Sequence, residues 1–156
     1  MRSIHIVLAS VISASVIGWA ALRAEPQATN ANRTVLVYKS PTCGCCTLWT
    51  EHLRANGFQV EAQNVSDARL LALEQEAGIG DDLSSCHTAK VGGYVVEGHV
   101  PAADIQRLLK ERPPITGLSV PGMPMGSPGM EQGGRKDSYN VVAFTKGGRR
   151  TVFASH

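Results

Sequence analysis

The stretch TVLVYKSPTCGCC, residues 34–46, decides how this chain folds. It opens with a short β-branched, apolar run, which predicts a buried strand. Three of the chain's four cysteines, Cys43, Cys45 and Cys46, then follow within four positions. The next segment, TLWTEHLRANG, spaces apolar residues along one helical face and stops at Gly57, so it predicts a helix. The cysteines therefore lie in the turn between a strand and the start of a helix.

Strands and helices continue to alternate after this turn. Period-two alternation predicts a strand, and leucines at helical spacing between a cap and a glycine predict a helix. The predicted elements are a strand at 58–64, a helix from Ser66 to Gly78, a strand or hairpin at 88–97 bent at Gly92-Gly93, and a helix from Pro101 to Pro113. A strand, a C-x-x-C turn, a helix, a strand, a helix, a strand pair and a helix form the thioredoxin-like order, an α/β mixed sheet with flanking helices. An unrelated α/β sandwich with a cysteine loop is the alternative.

The amino-acid composition changes in the C-terminal part of the chain. Residues 113–138 are rich in Gly and Pro and show no periodicity, which predicts a loop. The segment NVVAFTKGGRRTVFA has two apolar runs around Lys-Gly-Gly and predicts a hairpin. We therefore divide the chain into a thioredoxin-like domain at 33–112 and a Met-rich loop with a hairpin, 113–156, packed on that domain.

The N-terminus predicts export. Arg2 precedes an apolar run from Ile4 to Leu22 that contains no acidic residue, and the small residue Ala24 ends the segment. This pattern is typical of a secretory signal peptide, here residues 1–24, followed by a polar linker at 25–32. An uncleaved membrane anchor is the alternative, because the run approaches the ~20 residues that a span needs.

Charge excludes two classes of partner. Removing the first 24 of the 156 residues takes away two arginines and leaves 13 basic against 13 acidic residues. A net charge near zero provides no electrostatic footprint for nucleic acid or for an anionic membrane. We expect the exported chain to bind neither, and to reside in an oxidising compartment where cysteines pair, bind metal or turn over.

The four cysteines could form structural disulfides, a redox pair or a metal site. Structural disulfides explain them poorly, because adjacent Cys45 and Cys46 cannot easily bridge each other and a Cys43–Cys46 bond closes a loop of only four residues. A redox pair would use Cys43 and Cys46, since a helix start favours the thiolate. However, Cys45 is then surplus, and SSCHTAK lacks the cis-proline of thioredoxin-like disulfide enzymes. A metal site would use all four thiolates, with Cys86 and His87 predicted to face the motif.

The methionines distinguish between the soft metals. Thiolates select Cu(I) or Zn(II), whereas a thioether is a good ligand only for Cu(I). Apart from the initiator, all the methionines lie in the Gly/Pro-rich loop, where covering apolar surface is the alternative role. The predicted metal ligands are Cys43, Cys45, Cys46, Cys86, His87, Met123, Met125 and Met130. We expect His52 and His99 to be structural, and His156 to bind metal only if the tail folds back.

Three blocks of sequence resemble one protein family. YKSPTCGCC, SCHTAKVGGYVVEGHVPAADI and GLSVPGMPMGSPGM are similar, in this order, to the CopG-like periplasmic copper-resistance proteins of bacteria. The resemblance implies a thioredoxin-like fold in the periplasm whose cysteines hold copper, up to a thiolate-bridged cluster of several ions. It also implies a role in interconverting Cu(I) and Cu(II), which would make the protein a copper oxidoreductase.

We therefore expect a periplasmic copper-resistance protein that holds Cu(I), with copper ions and other copper-handling proteins as its partners. The alternative from another class is a periplasmic thiol–disulfide oxidoreductase that uses Cys43 and Cys46. A zinc-stabilised binding module is the third hypothesis, and it has no use for Met123 and Met125.

Overall fold

The computed structural model describes residues 33–156. The predicted signal peptide, 1–24, and the predicted linker, 25–32, lie outside the described residues. The strands are β1 (Thr34–Lys39), β2 (Gln59–Asn64), β3 (His87–Val91), β4 (Tyr94–Glu97), β5 (Gly117–Ser119), β6 (Asn140–Phe144) and β7 (Arg150–Ser155), and the helices are α1 (Gly44–Ala55), α2 (Asp67–Ala77) and α3 (Ala102–Glu111).

The strands form one seven-stranded mixed sheet in the order β2-β1-β3-β4-β5-β6-β7. β1 and β2 are parallel, whereas β3 is antiparallel to both β1 and β4. This sheet and the preceding order of strands and helices confirm the predicted thioredoxin-like fold. The cysteines lie next to two adjacent strands: the C-x-C-C turn connects β1 to α1, and Cys86 directly precedes β3.

α1 begins at the cysteine turn for a local reason. Cys43 is its N-cap, and the backbone N–H of Cys46 donates to the Cys43 sulfur at 3.3 Å, so a sulfur atom replaces the usual oxygen of an N-cap side chain. The helix then buries Trp49 and Leu53 against the sheet. The indole Nε1–H of Trp49 donates to the Val100 carbonyl at 2.9 Å, which ties α1 to the segment before α3.

The predicted bend at Gly92-Gly93 is a true hairpin turn. Both glycines have positive φ, 55° and 91°, which only glycine adopts without strain. The hairpin pairs Thr88 with Glu97 and Val91 with Tyr94, so the chain just before β3 returns beside the chain just after β4. This register determines which side chains lie near Cys86.

The C-terminal region differs from the prediction in one respect. Residues 117–119, expected to be loop, form the short strand β5, which pairs in parallel with β4 and antiparallel with β6. Three residues are too few to show a period, and a side chain at Gly117 would collide with the Val95 backbone, so the strand depends on tertiary contact. The predicted hairpin is present as β6 and β7, and it continues the same sheet.

Within residues 33–156, no helix combines the length and the apolar character needed to cross a membrane.

Candidate metal centre

The turn between β1 and α1 holds three sulfur atoms at the start of the helix. Cys43 and Cys46 form a disulfide, and Cys45 is a free thiol whose Sγ lies 3.5 Å from the Sγ of Cys43. Cys46 is fully buried, whereas Cys43 and Cys45 are half-buried and accessible from solvent. The turn therefore presents two sulfurs outward and one inward.

The fourth sulfur comes from the loop before β3. The Sγ of Cys86 lies 3.6 Å from the Sγ of Cys46, and this cysteine is also free. All four sulfurs lie within 4.8 Å of one another. The prediction that Cys86 faces the C-x-C-C motif is thus confirmed, and the four sulfurs are close enough together to hold a metal ion.

Two imidazoles approach the same sulfur. The Sγ of Cys86 lies 3.3 Å from Nδ1 of His87 and 3.1 Å from Nε2 of His99. These three ligand atoms also fall within 4.8 Å of one another, and both histidines are buried. Cys86 therefore belongs to two overlapping donor groups, one of four sulfurs and one of a sulfur with two nitrogens.

A backbone carbonyl orients the His99 ring. Nδ1 of His99 lies 2.8 Å from the carbonyl oxygen of Pro128. A carbonyl only accepts, so Nδ1 carries the hydrogen and Nε2 keeps its lone pair directed towards Cys86. Burial lowers the pKa of His99, which also favours the neutral ring. A histidine held in this way has the orientation and protonation state of a metal ligand.

Burial also favours the neutral form of His87. It is sealed between the indole of Trp49, with ring centroids 4.4 Å apart, and the ring of His99 at 5.1 Å. Burial, followed by the proximity of His99, lowers the pKa of His87 to about 3. Its Nε2 is buried and makes no hydrogen bond of good geometry in the part of the chain that the structure describes. Such orphaned nitrogens are uncommon in native proteins and often mark a functional site.

The environment of Cys86 disfavours a bare thiolate. Burial is the largest cause, followed by the neighbouring Cys45, and together they raise the pKa of Cys86 to about 12. A bound cation reverses this effect, because coordination deprotonates a thiol outright. The four sulfurs and two imidazoles lie close together, and sulfur donors fit a soft metal ion.

Comparison with known proteins identifies the family. Two solved structures of the copper resistance protein copG, Form 1 and Form 2, each share 46% sequence identity with this chain. The first match covers 79% of this chain and 96% of that one with a TM-score of 0.73, and the second covers 79% and 97% with a TM-score of 0.72. This chain belongs to the CopG family of copper resistance proteins.

A model of a family described as a protein of unknown function, DUF411, matches residues 83–130. The matched range includes Cys86, both of its histidine neighbours and residues 113–130 of the Gly/Pro-rich loop, with its three methionines (the methionine loop), but not the C-x-C-C turn. Comparison with curated proteins gave no match.

The methionine loop of this CopG family member is attached to the site at three points. The carbonyl of Gly122 accepts a hydrogen bond from the Ser85 hydroxyl, and Pro128 binds His99. Gly129 lies against the first turn of α1, where an added Cβ would sit 2.7 Å from the Cys45 carbonyl oxygen. The loop thus passes over the cysteines at the distance of backbone contact.

Met123 and Met130 directly follow two of these attachment points, whereas the backbone of Met125 pairs with Asp137 further along the loop. Met123 is 52% exposed, and the other two methionines are half-buried. A ligand role for the three thioethers stays a prediction.

His99 is the residue that sequence reasoning missed. It was expected to be structural, but the hairpin register places it across from Cys86. Thr88 pairs with Glu97 in this antiparallel hairpin. Cys86, two residues before Thr88, therefore lies opposite His99, two residues after Glu97. Counting outward from the Gly92-Gly93 turn would have found this neighbour. As expected, His52 is structural: its ring is half-buried and Nε2 accepts from the Ala102 N–H at 3.1 Å.

His156 lies away from the cysteines. Its Nε2 is 2.8 Å from Oδ2 of Asp104, and its ring stacks on Tyr139 with centroids 5.1 Å apart. The tail does fold back onto the domain, but it brings this imidazole to α3 and β6.

Proposed function

We propose that this chain is a copper-binding protein of copper resistance that holds Cu(I) through Cys43, Cys45, Cys46 and Cys86. The observation that carries the proposal is the convergence of four sulfurs within 4.8 Å at a helix start. Thiolates are the ligands that Cu(I) prefers, and four of them around one volume can also bridge several ions. Membership of a copper-resistance family supports copper over zinc.

The proposed donor set extends beyond the cysteines. His87 and His99 both contact Cys86 and are neutral, so they add nitrogen donors on one side of the sulfur group. The predicted thioether ligands, Met123, Met125 and Met130, belong to the loop that crosses the site. This mixture of sulfur and imidazole is also suited to copper that changes between Cu(I) and Cu(II), and the proposal includes that interconversion, in which one electron passes to or from an external redox partner.

The proposal requires the reduced chain. While Cys43 and Cys46 are joined, their sulfurs are not thiolates, and only thiolates are strong soft ligands. The oxidised chain keeps the thiols of Cys45 and Cys86. We therefore propose that an external dithiol reduces this disulfide, becoming a disulfide itself while Cys43 and Cys46 become thiols, and that this exchange opens the full four-sulfur site.

The same disulfide favours a second candidate function, thiol–disulfide exchange with protein partners. Cys43 accepts a hydrogen bond from the Cys46 N–H at the helix start, which stabilises a Cys43 thiolate as in C-x-x-C enzymes. This hypothesis needs only Cys43 and Cys46. It gives no role to the free thiol of Cys45 or to the histidines around Cys86.

A titration of the reduced, mature chain with Cu(I) under anaerobic conditions, against a competing chelator, distinguishes the two functions. We expect the wild-type chain to take copper from the chelator, and Cys45→Ser to lower the bound copper per chain and its affinity, because one soft ligand becomes a hard hydroxyl. Thr42→Ala, an exposed neighbour in the same turn, is the matched control and should bind as the wild type does. Weak binding of a single ion that Cys45→Ser does not change would contradict the copper hypothesis.

For location and partners, we propose the periplasm, reached by removal of the predicted signal peptide, and other copper-handling proteins as donors or acceptors of the ion. The predicted export signal and the family support this assignment. Detection of the chain in a periplasmic extract, shortened by the mass of residues 1–24, is the corresponding test.

A further inference from the structure

Glu97 is a fully buried carboxyl group at the end of β4, with no exposed surface, and burial raises its pKa to about 8. A buried carboxylate is costly unless its oxygens accept hydrogen bonds. Here Oε1 accepts from the backbone N–H of Ser85 at 2.9 Å, and Oε2 accepts from the hydroxyl of Thr88 at 2.7 Å. Both donors belong to a single segment of four residues.

The two donors stand on either side of Cys86 and His87. One carboxyl group therefore holds the residue before and the residue after this pair of candidate ligands. The distances that depend on this hold are short, since Cys86 Sγ lies 3.6 Å from Cys46 Sγ and 3.1 Å from His99 Nε2. A displacement of about 1 Å is enough to spoil a reactive or coordinating geometry of this kind.

The residues just before this segment are also held, through their backbone and by side chains of other elements. The Ser84 hydroxyl donates to Oε1 of Glu74 at 2.9 Å, and the carbonyl of Leu83 accepts from the Ser119 hydroxyl at 2.6 Å. Both contacts lie on the N-terminal side of Cys86. Among these side chains, Glu97 alone joins the two sides of the ligand pair.

We propose that Glu97 is a positioning residue of the metal centre, whose two carboxyl oxygens hold Ser85 and Thr88 so that Cys86 and His87 face Cys46 and His99. As a statement about metal binding, this inference rests on the proposed function. As a statement about the placement of Cys86, it can be tested without any metal.

The first test measures copper. In the reduced chain, Thr88→Val removes one of the two hydrogen bonds while keeping a β-branched residue in β3, and we expect the Cu(I) affinity to fall by about tenfold to a hundredfold. Tyr94→Phe is the matched control, because it removes a hydroxyl that donates to the Pro113 carbonyl at 2.9 Å on the same hairpin, away from the site. Its affinity should equal that of the wild type.

The conservative variant Glu97→Gln tests whether hydrogen bonds to Ser85 and Thr88 are enough, without an ionisable group. In Glu97→Gln, the amide oxygen can accept from the Ser85 N–H, and the amide nitrogen can donate to the Thr88 hydroxyl. We expect this variant to keep the wild-type Cu(I) affinity and the wild-type thiolate-to-copper absorption spectrum. Loss of both in the folded Glu97→Gln variant would contradict a positioning role, because glutamine keeps a polar atom opposite each of Ser85 and Thr88.

The second test uses no metal. In a Cys43→Ser/Cys45→Ser background, Cys46 and Cys86 are the thiols left in the mature chain, and their disulfide can be equilibrated with glutathione to give an effective concentration. The effective concentration reports how well the Cys46 and Cys86 thiols are held together. We therefore expect Thr88→Val to lower it by about tenfold and Tyr94→Phe to leave it unchanged.

The two tests fail in different ways. Equal effective concentrations in the Thr88→Val and Tyr94→Phe chains contradict the positioning role of Glu97, whatever the copper titration gives. A wild-type chain that binds no Cu(I), together with the expected change in the glutathione equilibrium, contradicts the proposed function and supports the positioning role.

Discussion

The variant Cys86→Ser is expected to lose Cu(I) affinity by more than about a hundredfold, a larger loss than changes outside the ligand shell cause. The loss is large because Cys86 belongs to both groups of donors: it is one of the four sulfurs, and it is also the sulfur that contacts His87 and His99. Serine keeps the size of the side chain but offers a hard oxygen, which Cu(I) binds poorly. The measurement is competition with a Cu(I) chelator under anaerobic conditions, with the chain fully reduced.

The matched control for this variant is Cys45→Ser, which makes the same chemical change in a residue that belongs to the sulfur group alone. We expect it to lower the affinity less than Cys86→Ser does. Circular dichroism of both variants should match the wild type, since both cysteines are half-buried rather than part of the core. Wild-type affinity in a folded Cys86→Ser chain would contradict the proposed donor set.

The variant Trp49→Ala is expected to lower the free energy of unfolding by about 3–5 kcal/mol. Trp49 is fully buried in the main core cluster, and its indole N–H donates to the Val100 carbonyl at 2.9 Å. Removing the ring leaves a cavity and an unpaired buried carbonyl, and both effects destabilise the fold. Since domains of this size are stable by about 5–15 kcal/mol, the loss is a large fraction of the total.

Urea unfolding followed by far-UV circular dichroism measures this change. The control is Leu71→Ala on α2, whose side chain is 52% exposed and should change stability by less than about 0.5 kcal/mol. Because the indole also lies 4.4 Å from His87, the surviving folded fraction of Trp49→Ala should bind Cu(I) more weakly. Equal stabilities of the two variants would show that Trp49 is not part of a close-packed core.

Local patterns predicted the part of the fold that holds the site. The β-branched run before the cysteines, the helical spacing after them and the glycine pair at the hairpin each have a local physical cause, and β1, α1 and the β3–β4 hairpin follow from them. The placement of Cys86 opposite the C-x-C-C turn also followed, because the order of elements determines which loops meet at that edge of the sheet.

What the sequence did not predict depends on contacts between distant segments. β5 is three residues long and exists because its backbone lies against β4. His99 reaches Cys86 through the hairpin register, and its ring is turned by a carbonyl from the methionine loop, 29 residues further along the chain. Gly129 lies against α1 where no side chain would fit. No periodicity encodes these approaches.

The cysteine turn was the feature that sequence reasoning explained least completely. A Cys43–Cys46 bond closes too short a loop to stabilise the fold much, and yet the structure forms it. Its consequence is chemical, since it divides the four sulfurs into a bonded pair and two free thiols, of which Cys86 lies beside the two buried histidines. The third cysteine of the turn, Cys45, is therefore the residue that distinguishes a soft-metal site from an ordinary redox pair.

X-ray absorption spectroscopy at the copper edge of the reduced, Cu(I)-loaded chain tests the central claim most directly. We expect an edge typical of Cu(I) and a first shell dominated by sulfur, with a smaller nitrogen contribution that decreases in His99→Ala. The sulfur content should fall in Cys86→Ser. A first shell made of nitrogen and oxygen, unchanged by Cys86→Ser, would contradict the claim that the cysteines of this turn and loop hold copper.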